Sequence, residues 1–348
     1  GQCICTNEEA EFAMDMEHLP AVGHFAARFL PYGEAGTGEN HETAPCCVCT
    51  SLSVHAPRDG SELWAQESRS SENGDVIDAL APNSVFATDQ TVTLENGVKY
   101  TGQWNGSRRH GFGKQVWPDG TSFLGQWRDG LAEGHGKLIH LDGDVYEGQW
   151  RFDKAHGDGI YVQSDGSKCV GQWRNDLKDG HVVEQWSDNS RFEGQYRKGA
   201  KHGCGKFLTS EGCMYEGDFQ DSEMHGLGTY TWTDGRAFTG QWQGNRMNGV
   251  GTFVWDDGRR YEGGYVGDKK EGKGIFIWPD GRKYDGEWRN GKQHGVGVFR
   301  TARGDLLCGE WKDGFRSRWL TDANTNETKN PDSNIQNCTA EPSNPDEI

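Results

Sequence analysis

Long hydrophobic runs are missing from this chain. No stretch approaches the roughly 18 apolar residues of a membrane span, so a helical transmembrane segment is not expected. Apolar residues fill only 33% of the 348 positions, too few for the thick Leu, Ile and Val core of a compact domain that long. The opening stretch, GQCICTNEEAEF, has neither a basic n-region nor an apolar h-region, which argues against a secretory signal. A reducing compartment is then expected, with the ten cysteines as thiols or acylation sites rather than a disulfide framework. Positive charge is scarce outside the middle. Residues 1–93 hold 3 Lys/Arg against 15 Asp/Glu, residues 321–348 hold 1 against 6, and residues 94–320 hold 32 of each. No segment has the basic footprint of a nucleic-acid binder. P-loop, nucleophile-elbow, kinase and paired metal-ligand motifs are all absent, so no catalytic residue, metal or cofactor is expected.

What the chain does hold is glycine, 51 residues, and tryptophan, 14 residues, a pairing that points to β-hairpins with tight turns. A pattern of aromatic-x-Gly-x-aromatic starts at Tyr100, Phe123, Tyr146, Cys169, Phe192, Tyr215, Phe238, Tyr261, Tyr284 and Leu307, always 23 residues apart. Its glycine never varies, as Gly102, Gly125, Gly148, Gly240 and Gly286 illustrate, and Trp104, Trp127, Trp150, Trp242 and Trp288 supply the second ring in those copies. A second half-motif, His-Gly-x-Gly, keeps the same period from His110, His156, His202, His225 and His294. Asp-Gly pairs such as Asp119-Gly120 and Asp257-Gly258 close the repeats with a turn signal.

This constellation resembles the MORN repeat family over about residues 98–320, with ten copies in register. The fold expected is all-β: an elongated, twisted, single-layer antiparallel sheet of tandem hairpins between mostly disordered flanks. Side-chain alternation puts Tyr100, Gly102 and Trp104 on one face, where rings cover the gaps left by glycine. About twenty strands at ~4.8 Å spacing would make a rod on the order of 95 Å. The fourth copy departs most, with Cys169 for the aromatic and Asp179-Gly180-His181-Val182 for His-Gly-x-Gly, so irregular geometry is expected near 169–190.

Four segments are expected: an acylation signal with short helices (1–30), a disordered acidic linker (31–90), the repeat array (91–320) and a disordered acidic tail (321–348). Residues 8–19 and 21–30 have Phe12, Met16, Phe25, Phe29 and Leu30 as apolar points and stop before Pro20 and Pro31. Gly1 with Cys3 and Cys5 resembles a myristoylation signal backed by S-acylation, although Cys5 stands where Ser or Thr is usual. One myristoyl chain binds with K of only about 10⁴ M⁻¹, so the second acyl group is needed. The repeated histidines suit strand entry better than metal binding. Equivalent copies lie two strands apart, about 9.6 Å, whereas zinc ligands sit about 2.1 Å from the metal.

The family resemblance also implies a site for anionic phospholipid. The basic residues available are Arg108, Arg109, Lys198, Lys201, Arg259, Arg260, Lys269 and Lys270. Acidic neighbours such as Asp256, Asp257, Asp268 and Glu271 favour a solvated surface there instead. The resulting expectation is a non-catalytic scaffold. Acyl chains would tie it to the cytoplasmic face of a membrane, and the repeats would meet cytoskeletal or membrane-skeletal proteins. The alternatives are a ciliary or axonemal structural protein without a membrane role, and a phospholipid-binding regulatory module. Open edge strands leave homo-oligomers open as well.

Overall fold

The structure, a computed structural model, describes residues 91–320. The acylation residues Gly1, Cys3 and Cys5, the short helices and the disordered segments expected on either side lie outside the described residues. Within them the chain is all-β, with 21 antiparallel strands in an open sheet that does not close on itself, and no α-helix. It divides at Gly180/His181 into two compact units.

The first unit holds β1 (Thr91–Thr93), β2 (Lys99–Asn105), β3 (Arg108–Val116), β4 (Ser122–Arg128), β5 (Leu131–Ile139), β6 (Val145–Arg151), β7 (Lys154–Val162) and β8 (Lys168–Arg174). The boundary falls inside β9 (Leu177–Gln185). The second unit continues with β10 (Arg191–Arg197), β11 (Ala200–Leu208), β12 (Met214–Gln220), β13 (Glu223–Thr231), β14 (Ala237–Gln243), β15 (Arg246–Val254) and β16 (Arg260–Val266). It ends with β17 (Lys269–Ile277), β18 (Lys283–Arg289), β19 (Lys292–Arg300), β20 (Leu306–Lys312) and β21 (Phe315–Trp319).

Glycines pair with glycines across the strands. In the first unit Gly102, Gly113, Gly125, Gly136, Gly148, Gly159 and Gly171 are successive register partners. In the second unit the same seam runs from Gly194 to Gly309. The seam exists because rings lie on it. A Cβ on Gly159 would stand 2.3 Å from the Tyr146 hydroxyl, and one on Gly148 would stand 2.5 Å from the Gly159 Cα. Rings of neighbouring repeats then meet edge to face: Phe123 with Trp150 at 5.0 Å, Tyr146 with Trp150 at 5.2 Å, Tyr146 with Trp173 at 5.4 Å. Each such pair adds about 0.5–1.5 kcal/mol beyond its area burial.

Polar ends of these rings are satisfied locally. The indole N–H of Trp127, Trp150, Trp242 and Trp288 donates to the carbonyls of Gly113, Gly136, Gly228 and Gly274. The hydroxyls of Tyr100, Tyr146, Tyr215, Tyr261 and Tyr284 donate to backbone carbonyls three residues on. Burial pushes the Tyr100 hydroxyl up to about 12 and the other four higher, so all five keep the proton they donate.

Two details differ from the sequence reading. The Asp-Gly pairs do close the repeats, but in wider loops, with Trp117 N–H donating to Thr121 O and Gly120 N–H to Trp117 O. The tight two-residue turns lie inside each repeat, where Phe152 and Asp153, or Asn175 and Asp176, both have positive φ. The fourth copy is regular, with β8 and β9 at full length. Cys169 occupies the ring position and Val182 the second glycine position, both buried. Cys169, Cys204 and Cys213 carry thiols, as expected, whereas Cys308 is disulfide-bonded.

Candidate interaction surface

Opposite the aromatic face, each bulged strand turns a column of side chains outward. The bulge arises at the first glycine of His-Gly-x-Gly. Gly111 has φ +69°, and a Cβ there would meet Gln103 Oε1 at 1.9 Å. That glutamine replaces the ladder partner lost at the bulge. Gln103, Gln126 and Gln149 accept from the N–H of Phe112, His135 and Asp158, and in the second unit Asp218 and Gln241 accept from Leu227 and Val250. The residue between the glycines is thereby fixed outward. Phe112 is 54% exposed, and Leu227 and Val250 are each 64% exposed.

Successive turns are stitched together on the other flank. Ala132 N–H donates to the Asp153 carboxylate at 2.6 Å, and Asp153 N–H returns a bond to Ala132 O. Asp176, Asn245 and Asp268 repeat this with Ala155, Met224 and Met247. Where the turn offers glycine instead, at Gly130, Gly291 and Gly314, the residue 21 positions earlier is Arg109, Lys270 or Gln293. At these three glycine turns a long polar side chain thus stands where Ala or Met stands beside a clamping Asp or Asn.

That position decides the fate of the basic residues. The Arg109 guanidinium lies 4.2 Å from the centre of the Trp127 ring and donates to Gln115 and to Gly130 O. Lys201, 2% exposed, sits 4.8–4.9 Å from the centres of Trp186, Phe192 and Phe207. The Lys270 ammonium lies 4.7–5.3 Å from four ring centres, Trp255, Tyr261, Phe276 and Trp288. Arg259 stacks at the edge on Trp255 and pairs with Asp257 at 2.6 Å. Their companions Arg108, Lys198, Arg260 and Lys269 are exposed, Arg260 being paired with Glu262 at 2.5 Å. The pairs are therefore split, one member inward and one outward: Arg108-Arg109 and Lys269-Lys270 are neighbours in a strand and face opposite ways, while Lys198 lies in the turn before β11 and Arg259 just before β16. The 23-residue column Arg109, Ala132, Ala155, Lys178, Lys201, Met224, Met247, Lys270 carried the signal, since Ala and Met mark it as an inward position.

This column makes a test. Met224 and Met247 are buried where their repeats match Lys201. Lys201→Met is expected to keep or raise the melting temperature, while Lys201→Glu, burying a carboxylate among rings, is expected to cost about 3 kcal/mol or more in denaturant unfolding.

The clamping carboxylates make another. Burial raises the Asp153, Asp176 and Asp268 carboxyls, opposed by their backbone hydrogen bonds. A folded-state value above the unfolded one means that these groups favour the fold below about pH 3.8, and that this benefit is lost as pH rises through the folded value. At neutral pH they are a liability that Asn245 avoids. Combined Asp153→Asn, Asp176→Asn and Asp268→Asn should melt higher than wild type at pH 7, and the difference should shrink as pH falls to 4 in a thermal-melt series.

No group of three or more His, Cys, Asp or Glu suited to a metal occurs among the described residues. No described helix is long and apolar enough to cross a membrane.

The outward face is least charged in the second unit. Thr229, Thr239 and Thr252 are cross-strand neighbours on β13, β14 and β15. Thr231, Ala237 and Val254 flank them on one side, and Leu227, Gln241 and Val250 on the other.

Comparison with known proteins bears on the repeats. The family model of the MORN repeat matches ten segments, from 100–122 to 308–317. No curated protein matches the chain. Among solved structures, the TCP10 domain of Danio rerio CPAP in complex with a peptide of Danio rerio STIL is 13% identical, with a TM-score of 0.36. That match covers 68% of this chain and all of the other. The SAS-4 (dCPAP) TCP domain of Drosophila melanogaster, in complex with a proline-rich motif of Ana2, is also 13% identical, with a TM-score of 0.27, over 61% and 97% of the two chains. Likeness at this level carries no argument about this chain.

Proposed function

Because this chain belongs to the MORN-repeat family, we propose that it is a non-catalytic scaffold whose outward sheet face receives protein partners. The observation supporting this is the outward column held at each bulge, which keeps Phe112 54% exposed, with Leu124 45% exposed on the same face of the adjacent strand β4. Side chains fixed by a hydrogen-bonded bulge lose little freedom on binding, which favours recognition over a mobile loop. Replacing Phe112 and Leu124 together by Asp should leave the melting temperature unchanged and release proteins that co-purify with wild type. An unchanged set of bound proteins would reject this face as the receiving surface.

The finer reading adds a membrane anchor at Gly1, Cys3 and Cys5 and cytoskeletal or membrane-skeletal partners. Mass spectrometry of the native protein should find acyl groups there, and Gly1→Ala should move the protein to the soluble fraction. Binding of anionic phospholipid would fall to the exposed cations Arg108, Lys198, Arg260 and Lys269. It should be salt-sensitive on phosphoinositide vesicles and vanish when these four become Ala.

A further inference from the structure

The first unit carries a run of arginines on its outward face. Arg128, Arg151 and Arg174 end β4, β6 and β8, each 23 residues after the last, and all three are exposed. Each follows a buried indole, Trp127, Trp150 or Trp173, so alternation along the strand sends it outward. Equivalent positions lie two strands apart, so the arginines recur about every 9.6 Å. Two residues back on the same face stand Gln126, Gln149 and Gln172. The Oε1 atoms of Gln126 and Gln149 accept the N–H of His135 and Asp158. An amide whose oxygen is held at the bulge turns its NH2 to the other side, and that group only donates, as a guanidinium does. The two columns together make a strip of donors across β4–β8. Exposed apolar side chains border it: Leu131 at 38%, Phe152 at 58% and Leu177 at 47%.

Most acids near the strip are engaged. Asp153 and Asp176 accept the N–H of Ala132 and Ala155, and Asp129 faces His110 at 3.8 Å. Glu133 pairs with Arg128 at 3.0 Å, but that arginine is 67% exposed, and a pair so open to water exchanges readily. Asp158 stands in the glutamine row opposite Gln172 and keeps an anionic ligand to the arginine side. The second unit has no such run. Its equivalent positions hold Arg197, Gln220, Gln243, Val266, Arg289 and Lys312, and Glu287 and Glu310 accompany the last two.

We propose that this strip binds a protein segment in the polyproline II conformation with a carboxylate at every third residue. Such a segment has three residues per turn and rises about 3.1 Å per residue, so positions i and i+3 share a face about 9.3 Å apart. That stays in step with arginines about 9.6 Å apart, whereas an α-helix repeats its face at i+7, about 10.5 Å on, and drifts out of register. Each guanidinium takes one carboxylate in a two-bond fork. The glutamine NH2 groups donate to the ligand's carbonyls, which polyproline II leaves without internal partners. The intervening side chains rest on Leu131, Phe152 and Leu177. The proposal rests on the outward face as a receiving surface for proteins and names the chemistry of the partner.

A fluorescent peptide of repeated Glu-Pro-Pro units, titrated by anisotropy into the full-length protein, tests it. It should bind about tenfold more tightly than a peptide of the same composition with its Glu residues adjacent. Arg128→Ala, Arg151→Ala and Arg174→Ala together should weaken it about a hundredfold and leave the melting temperature unchanged. Lysine at the same three positions keeps the charge but not the fork; it should cost about tenfold, and it serves should the alanine variant fail to fold by circular dichroism. No binding of the spaced peptide, equal binding of the clustered one, or binding that survives both sets of changes would overturn the proposal. So would a single-stranded RNA that binds more tightly than the spaced peptide. Any of these outcomes while Phe112→Asp with Leu124→Asp still releases co-purifying proteins rejects the acidic ligand alone; if nothing is released either, the outward face goes with it.

Discussion

Gly228→Ala is expected to destabilise the protein by about 3 kcal/mol, at the upper end for an overpacked site. The new methyl would lie 2.3 Å from the Tyr215 hydroxyl oxygen and 2.5 Å from its ring carbon Cζ. Tyr215 is fully buried, its hydroxyl donates to Asp218 O at 2.9 Å, and Phe219 and Trp242 meet it edge to face at 5.1 and 5.5 Å. The ring has nowhere to go without breaking the row. The loss should be read by denaturant unfolding and as faster amide exchange in β12–β14.

The fourth repeat shows how the clash is avoided. It alone pairs a small residue at the ring position, Cys169, with a large one at the second glycine position, Val182. Tyr215→Cys combined with Gly228→Val should therefore lose less than the two single changes added together. A strictly additive loss would mean that the second glycine is required for backbone reasons instead of for ring volume.

Trp150→Ala is expected to cost about 3–5 kcal/mol. Trp150 is 3% exposed, packs edge to face on Phe123 and Tyr146, and donates its indole N–H to Gly136 O at 2.9 Å. It bridges two repeats, so its loss should open both. In an array where each hairpin meets only its neighbours, exchange should accelerate in β4–β7 and fade with distance along the first unit. Phe112→Ala, on the outward face, should change stability by less than about 0.5 kcal/mol. Equal effects of the two changes would remove the aromatic row as the source of stability.

Some contrasts between Trp150 and Phe112 are legible in the sequence alone. Period, glycine and aromatic in a fixed spacing implied hairpins with one ring-paved face, and the seam of paired glycines confirms it. The basic residues were less legible. Lys201 and Lys270 read as surface charges because lysine is usually solvated and acidic residues stood nearby. The Ala and Met of their 23-residue column mark the position as inward, and the structure shows that the ammonium groups of Lys201 and Lys270 end among rings. Phe152 likewise gave no turn signal, since phenylalanine rarely adopts a φ of +53°.

The sequence by itself determined the repeat, its 23-residue length, the strand-turn alternation and the face on which rings cover glycine. All of these follow from side-chain size and backbone freedom within one hairpin, repeated. The tertiary structure decided which member of each basic doublet is buried, how turns clamp one repeat to the next, and that Thr229, Thr239 and Thr252 stand side by side in an uncharged block. Those depend on register and on the bulge at each His-Gly-x-Gly, and cross-strand hydrogen bonding fixes both only when the strands are laid together.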